Sequence, residues 1–322
     1  MSTPRKHHYL PRFYLRGFSS NSRSLIQIEK ASGSARPCSV NDAASIRDYH
    51  RLDAKDVEDP YEFERRLSSI EGALAAAVKR VLENGISDLT THARLVELVS
   101  MLRVRIPAMK STIEKSLRQV VRSTGLIMER SGKLPAPPPG LEDALRMDNL
   151  NIKISNWVCL QYMFSLAADK DILRLLLSMR PSLVHSPENC FFITCDQPVA
   201  VFSPLAKLTR TEGVALTEPD VQISLPLSRS TLLLLDWRNE EPASTVATAV
   251  EAEEFNRRTV IMATNYVFAP VSYEVEARAF VARYGQLSAG MQPPQTLDAG
   301  RSVLHLLHFL PVISRERYKS AG

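Results

Sequence analysis

Within twelve residues near the start, His7-His8-Tyr9-Leu10-Pro11-Arg12-Phe13-Tyr14-Leu15-Arg16-Gly17-Phe18, the chain gathers two histidines, two arginines and four aromatic rings. Each type has a chemistry. An imidazole ligates a metal or takes a proton near neutral pH. A guanidinium grips phosphate oxygens in a fork. A tyrosine ring stacks on a nucleic-acid base. The mixture suits a surface for an anionic ligand, or a rigid aromatic plug with basic residues at its rim.

Two carboxylates complete a possible site. Glu71 sits in a helical pattern with apolar residues at Phe63, Leu67, Ile70, Leu74, Ala77, Val78 and Val81. At about 100° per residue it falls on the flank of that stripe, with Glu64 close to the same azimuth two turns earlier. A carboxylate beside core residues needs a metal or a cation such as Arg103 or Arg105 to offset its desolvation. Asp196 follows the strand-like run Phe191–Thr194, in Thr194-Cys195-Asp196-Gln197-Pro198. Acids at strand ends serve as metal ligands; they also build Asx turns that reverse the chain.

One assembly of these groups is catalytic. His7 and His8, Glu71 and Asp196 form the reacting set. His8, Glu71 and Asp196 hold Mg²⁺ or Mn²⁺, which favour carboxylate ligands. Tyr9, Arg12, Arg16 and Arg105 hold the phosphates. That set describes a metal-dependent nuclease or phosphohydrolase. A second assembly binds nucleic acid or another phosphate-bearing ligand without turnover. A third is structural, with arginines neutralising Glu71 and Asp196.

Other signals are weaker. His305 and His308 are spaced i, i+3, but two ligands do not make a zinc site. Cys195 lacks an adjacent base, and Ser228 lacks the G-x-S-x-G elbow. Neither a Walker A loop nor G-x-G-x-x-G occurs.

The totals are those of a globular chain. Of 322 residues, 44% are hydrophobic and 23% charged, and 40 basic against 35 acidic side chains leave +5. That permits a nucleic-acid partner without demanding one. Five basic residues precede Ser24 and no acid occurs before Glu29, so the positive charge is local. Cys38, Cys159, Cys190 and Cys195 form no C-x-x-C pair, the usage of reduced thiols. No run reads as a signal peptide or membrane span. A cytoplasmic protein is expected; oligomeric state is not legible.

The elements that must position these groups are readable. Leu10, Phe13, Tyr14, Gly17 and Phe18 make one face of a short helix, and His8, Arg12 and Arg16 another. A hairpin spans Leu25–Ile28 and Pro37–Val40. Asp59-Pro60 opens a long helix that Gly85 ends. Thr90 or Thr91 caps the next, Pro107 breaks it, and its continuation stops at Gly125. Leu134-Pro135-Ala136-Pro137-Pro138-Pro139-Gly140 is a loop. The chain reads as one domain over 1–322, with 1–133 and 141–322 as the halves a cut there would leave. Helices follow over Asn151–Ala168 and Asp171–Met179. Strands follow over 191–194, 199–202, 221–225 and 231–235, with later helices near 251–265 and 273–284. The class is α+β: a helix-rich centre and a small mixed or antiparallel sheet of the N-terminal hairpin and C-terminal-half strands.

The opening segment resembles the signature H-H-Y-V-P-x-F-Y-L-R-x-F of a widespread, mainly bacterial family of unknown function. Ile70-Glu71 resembles its I-E motif, and Arg105-Ile106-Pro107 its R-x-P step. Phe192-Ile193-Thr194-Cys195-Asp196-Gln197-Pro198-Val199 resembles its F-I-T-S-D-N-P-V block, and Leu225-Pro226-Leu227-Ser228 its P-L-S segment. Asn256 and Tyr266 fall in a late region that is also similar, read as helical. Leu10, Cys195 and Gln197 depart from the pattern. The resemblance implies that the histidines, Glu71, Arg105 and Asp196 lie in motif blocks. It implies no activity.

Overall fold

The computed structural model describes residues 5–19, 23–53, 58–204, 214–238 and 243–287, with the backbone of four short strands beyond them. His308 lies outside the described residues, and His305 is placed only as part of a strand, Val303–Leu306.

The described residues open on strand β1 (Lys6–His8), not on a helix. Period-two alternation therefore separates the adjacent histidines: His7 is fully buried and His8 half-buried. Helix α1 (Arg12–Arg16) follows and sinks into the core. Leu10, Tyr14, Leu15 and Phe18 are at most 1% exposed, whereas Arg12 and Arg16 face solvent. The expected grouping of His8 with the two arginines on one helical face is therefore not formed. Next come β2 (Ser24–Glu29), β3 (Ala35–Ser39) and β4 (Ser45–Arg47), and β4 pairs antiparallel with β1, setting His7 opposite Ile46.

Four helices form the centre: α2 (Glu62–Asn84), α3 (Leu89–Val104), α4 (Pro107–Arg130) and α5 (Asn156–Ala167). Their ends differ from the sequence reading in three places. Asp59 accepts from the Tyr61 N–H, so α2 starts two residues beyond Pro60. Asp88, not a threonine, caps α3 through the Thr91 N–H. Helix α4 runs through Gly125 to Arg130. At Gly125 a Cβ would sit 2.3 Å from Cε of the Met147 side chain. Pro107 does break the helix, standing at the first position of α4, where it costs no hydrogen bond.

After α6 (Lys170–Ser178) the chain turns to sheet: β5 (Arg180–His185), β6 (Thr194–Cys195), β7 (Ala200–Phe202), β8 (Gln222–Ser228), β9 (Thr231–Asp236) and β10 (Ala243–Val246). Helix α7 (Ala249–Met262), strand β11 (Tyr266–Ala269) and helix α8 (Glu274–Tyr284) complete the frame. One mixed sheet has the order β10-β5-β9-β8-β7, with only β10 and β5 parallel. A second, antiparallel sheet has the order β3-β2-β11-β6. The fold is α+β, as the sequence implies. Tyr266 corrects one detail, lying on a strand and not in a helix.

A single cluster of buried apolar residues joins α1, the central helices and the mixed sheet, running through Tyr14, Leu98, Leu160, Leu225 and Phe268. Helix α1 is its plug. The Tyr14 hydroxyl is 2.7 Å from the Thr194 hydroxyl, and the Gly17 carbonyl accepts from the Arg229 N–H at 2.9 Å.

A candidate active site of His50, Glu64 and Arg105

The segment after β4 brings His50 beside His7. The His50 backbone N–H donates to Nδ1 of His7 at 2.8 Å, and the two rings lie nearly parallel with centroids 5.6 Å apart. From the first turn of α2, Glu64 reaches the other side of His50, with its Oε2 2.6 Å from Nδ1. His50 is fully buried, while the Glu64 side chain is 25% exposed.

These contacts fix the protons. Burial drives the His50 pKa down to about 4, outweighing the hydrogen bond to Glu64, so the ring is neutral at pH 7. Burial pushes Glu64 up, but its bond with His50 and nearby charge outweigh this and hold the carboxyl below its usual range. An ionised carboxylate only accepts, so the single N–H of His50 must be on Nδ1. Nε2 then carries a bare lone pair, and it has no partner among the described residues.

Arg105 closes the end of α3 beside this pair. Its Nη1 donates to Glu71 Oε1 and its Nη2 to the His8 carbonyl, both at 2.5 Å. Its side chain is 4% exposed, and its Nε–H has no acceptor among the described residues. Thus Glu71 and Arg105 meet as an ion pair that also clamps β1. His50 and Arg105 line one cavity of about 440 Å³ between α2, α3, α5 and α6. Its walls are largely apolar, including Phe63, Leu67, Met101, Met163 and Phe164, with Arg94 and Glu97 also present.

The other sequence-selected residues lie elsewhere or are otherwise engaged. Asp196 is 4% exposed and accepts backbone N–H bonds from Thr264, Asn265 and Tyr266 at 2.7, 2.7 and 3.2 Å. It staples the turn from α7 to β11, so neither the expected Asx turn nor an open ligand describes it. Burial raises its carboxyl, and those three bonds oppose the rise. His8 donates from Nε2 to the Asn41 carbonyl, and its pKa is lowered by burial and then by Arg12. Among the described residues the group of three or more metal-capable side chains within reach of one another is His7, His50 and Glu64. His8, Glu71 and Asp196 do not make such a group. Tyr9 is buried and cannot stack on a base. Arg5 pairs with Asp48 and Lys6 with Asp42, so part of the basic N-terminal charge is neutralised at home.

Sequence reasoning missed His50 and gave Glu64 no role. His50 stands in Arg47-Asp48-Tyr49-His50-Arg51, with no periodic pattern around it. The azimuth shared by Glu64 and Glu71 was the one signal present: Glu64 bonds the His50 imidazole and Glu71 the Arg105 guanidinium.

No curated protein and no solved structure matches the chain. Residues 6–270 match DUF4238, described as a protein of unknown function, which spans β1, the central helices and both sheets through β11. On that match, the chain that holds His50 between His7 and Glu64 belongs to the DUF4238 family.

Proposed function

We propose that the protein is a hydrolase of phosphodiesters in which His50, oriented by Glu64, is the general base. The observation that carries this is the bare Nε2 of a neutral, fully buried imidazole whose Nδ1–H is held by a carboxylate at 2.6 Å. Carboxylate–imidazole pairs of this kind orient a base and stabilise the charge it acquires.

The chemistry follows from the atoms present. A water donates to Nε2 of His50 and loses its proton to the ring. Its oxygen bonds to phosphorus as the bond to the leaving oxygen breaks. The leaving oxygen takes the bonding pair and a proton from solvent, and His50 releases its proton afterwards. Arg105 supplies a positive charge to the phosphoryl oxygens, and its Nε–H is unpartnered among the described residues.

A second reading has one observation behind it: one ligand atom each from His7, His50 and Glu64 lie within 4.8 Å of one another. Two imidazoles and a carboxylate suit Zn²⁺ or Mn²⁺ better than Mg²⁺. The hydrogen bonds weigh against it. Nδ1 of His7 already accepts the His50 backbone N–H. Coordination through Nδ1 of His7 would displace that bond, and coordination through Nδ1 of His50 would displace the bond to Glu64.

The test is turnover of bis(4-nitrophenyl) phosphate near neutral pH, with and without a chelator. We expect turnover that resists chelation and falls about 10²- to 10⁴-fold in His50→Gln. Turnover unchanged in folded His50→Gln overturns the assignment. Loss on chelation with recovery on added Zn²⁺ or Mn²⁺ moves it to the metal reading.

A further inference from the structure

We infer that the cavity beside His50 takes an alkyl phosphate ester, its chain between the helices and its phosphate against His50 and Arg105. The inference rests on the proposed role of His50 and adds the substrate class: an amphipathic phosphodiester, not a polynucleotide.

Three observations carry it. The cavity, at about 440 Å³, lies in the range of small-molecule sites, roughly 300–1,000 Å³. Its walls suit a flexible chain more than a base or sugar: Leu67, Met101, Met163, Phe164 and Leu173 offer methyls, thioethers and a ring, and few hydrogen-bonding groups stand among them. Met side chains adapt to chains of different shape. Lastly, two residues that line the cavity carry buried polar atoms with no partner among the described residues, the donor Nε–H of Arg105 and the acceptor Nε2 of His50. Leaving such groups unmatched is costly. A phosphate monoester matches both, since one oxygen accepts from Arg105 and a P–OH donates to His50. In the diester the attacking water takes the place of that P–OH.

A nucleic acid fits worse. Its bases need stacking rings and its backbone an open basic track. Tyr9 and Tyr14 are buried, and Lys6 and Arg5 are paired with carboxylates.

The experiment is calorimetric titration of the whole chain with butyl, hexyl and octyl phosphate, below their micelle-forming concentrations. Inorganic phosphate and a single-stranded oligonucleotide serve as competitors. We expect affinity to rise about fourfold for each added methylene that is buried, and neither competitor to displace octyl phosphate. Ala73→Trp, at an exposed position lining the cavity, should weaken octyl phosphate at least tenfold without changing Tm. Affinity independent of chain length, or displacement by the oligonucleotide, overturns the inference. Because the chain-length series uses the wild-type protein, a poorly folded Ala73→Trp does not blunt the test. The two readings fail separately. If octyl phosphate does not bind but His50→Gln abolishes turnover, the base stands and the substrate class falls. Binding of octyl phosphate with turnover unaffected in His50→Gln has the opposite meaning.

Discussion

Nδ1 of His7 accepts the backbone N–H of His50 at 2.8 Å, while the two rings stack at 5.6 Å. The first imidazole thus places the backbone of the second, and the second is left to turn its own Nδ1 to Glu64. This relation gives the paired histidines of the opening segment unlike tasks. His7 faces inward as a buried acceptor, and His8 offers its carbonyl to Arg105. What the N-terminal strand contributes to the site is position.

The buried pair makes stability depend on pH. The His50 pKa falls from 6.5 in the unfolded chain to about 4 in the fold. Between those values the unfolded state binds the proton and the folded state does not, so stability drops as pH falls from about 6.5 toward 4. The full drop is up to about 3 kcal/mol, using roughly 1.4 kcal/mol per pKa unit. Glu64 acts in a lower window: its carboxyl is depressed, so its stabilisation is present above about 4.5 and lost below that. Urea melts at stepped pH should show the upper slope in the wild type and a flatter one in His50→Gln. Equal slopes would mean that the ring titrates normally.

Asp196 is held by three backbone N–H groups, which marks it as a scaffold residue. Asp196→Asn keeps the shape but replaces one acceptor oxygen with an amide that faces donors. We expect a loss of about 1–3 kcal/mol in stability, with kcat per folded molecule unchanged. A fall in kcat at undiminished stability would return Asp196 to the chemistry.

How much of this was legible follows from where the signals lie. Helix periods, the break at Pro107 and the hairpin are local patterns, and they were readable to within a few residues. The Glu71–Arg105 contact was readable because a carboxylate on a buried flank requires a cation nearby. Strand β5 was missed because Arg180-Pro181-Ser182-Leu183-Val184-His185 has polar ends and an internal proline, although five of its six residues are buried. The expected strand over 191–194 shrinks to β6 because its earlier residues bond to a side chain: the Asn256 amide oxygen accepts from the Ile193 N–H, and its NH₂ donates to the Phe191 carbonyl. His50 was invisible because its role is set by a strand pairing with residues some forty positions earlier.

Two glycines should answer alanine differently. At Gly17 a Cβ would lie 2.6 Å from the Leu227 carbonyl oxygen, which belongs to the β8 backbone and cannot yield without moving the sheet. Gly17→Ala should cost about 1–3 kcal/mol by driving α1 off β8. At Gly125 the obstacle is the Met147 side chain, which can swing aside. Gly125→Ala should be within about 1 kcal/mol of neutral, since alanine's helix preference offsets the shift. Denaturant midpoints compare the two directly, and the reverse order would mean that α1 is not seated as a plug.

Arg105 is the residue whose loss should cost most at the site. It is 4% exposed and makes two short bonds, to Glu71 on α2 and to the His8 carbonyl on β1. Glu71 is 24% exposed, so it can recover some hydration when its partner goes. Arg105→Lys keeps the charge but cannot span both acceptors with one planar fork, and should cost about 2–4 kcal/mol. Glu71→Gln keeps a hydrogen-bond acceptor and should cost less, on the order of 1 kcal/mol. In the double variant the two losses should overlap by at least about 0.5 kcal/mol, the mark of direct coupling. Amide exchange adds a readout that a simple loss of packing would not give. With the His8 carbonyl released, exchange at the β1–β4 pairing should quicken in Arg105→Lys but not in Glu71→Gln. If both variants quicken it equally, Glu71, and not the fork of Arg105, is what holds the N-terminal strand against His50.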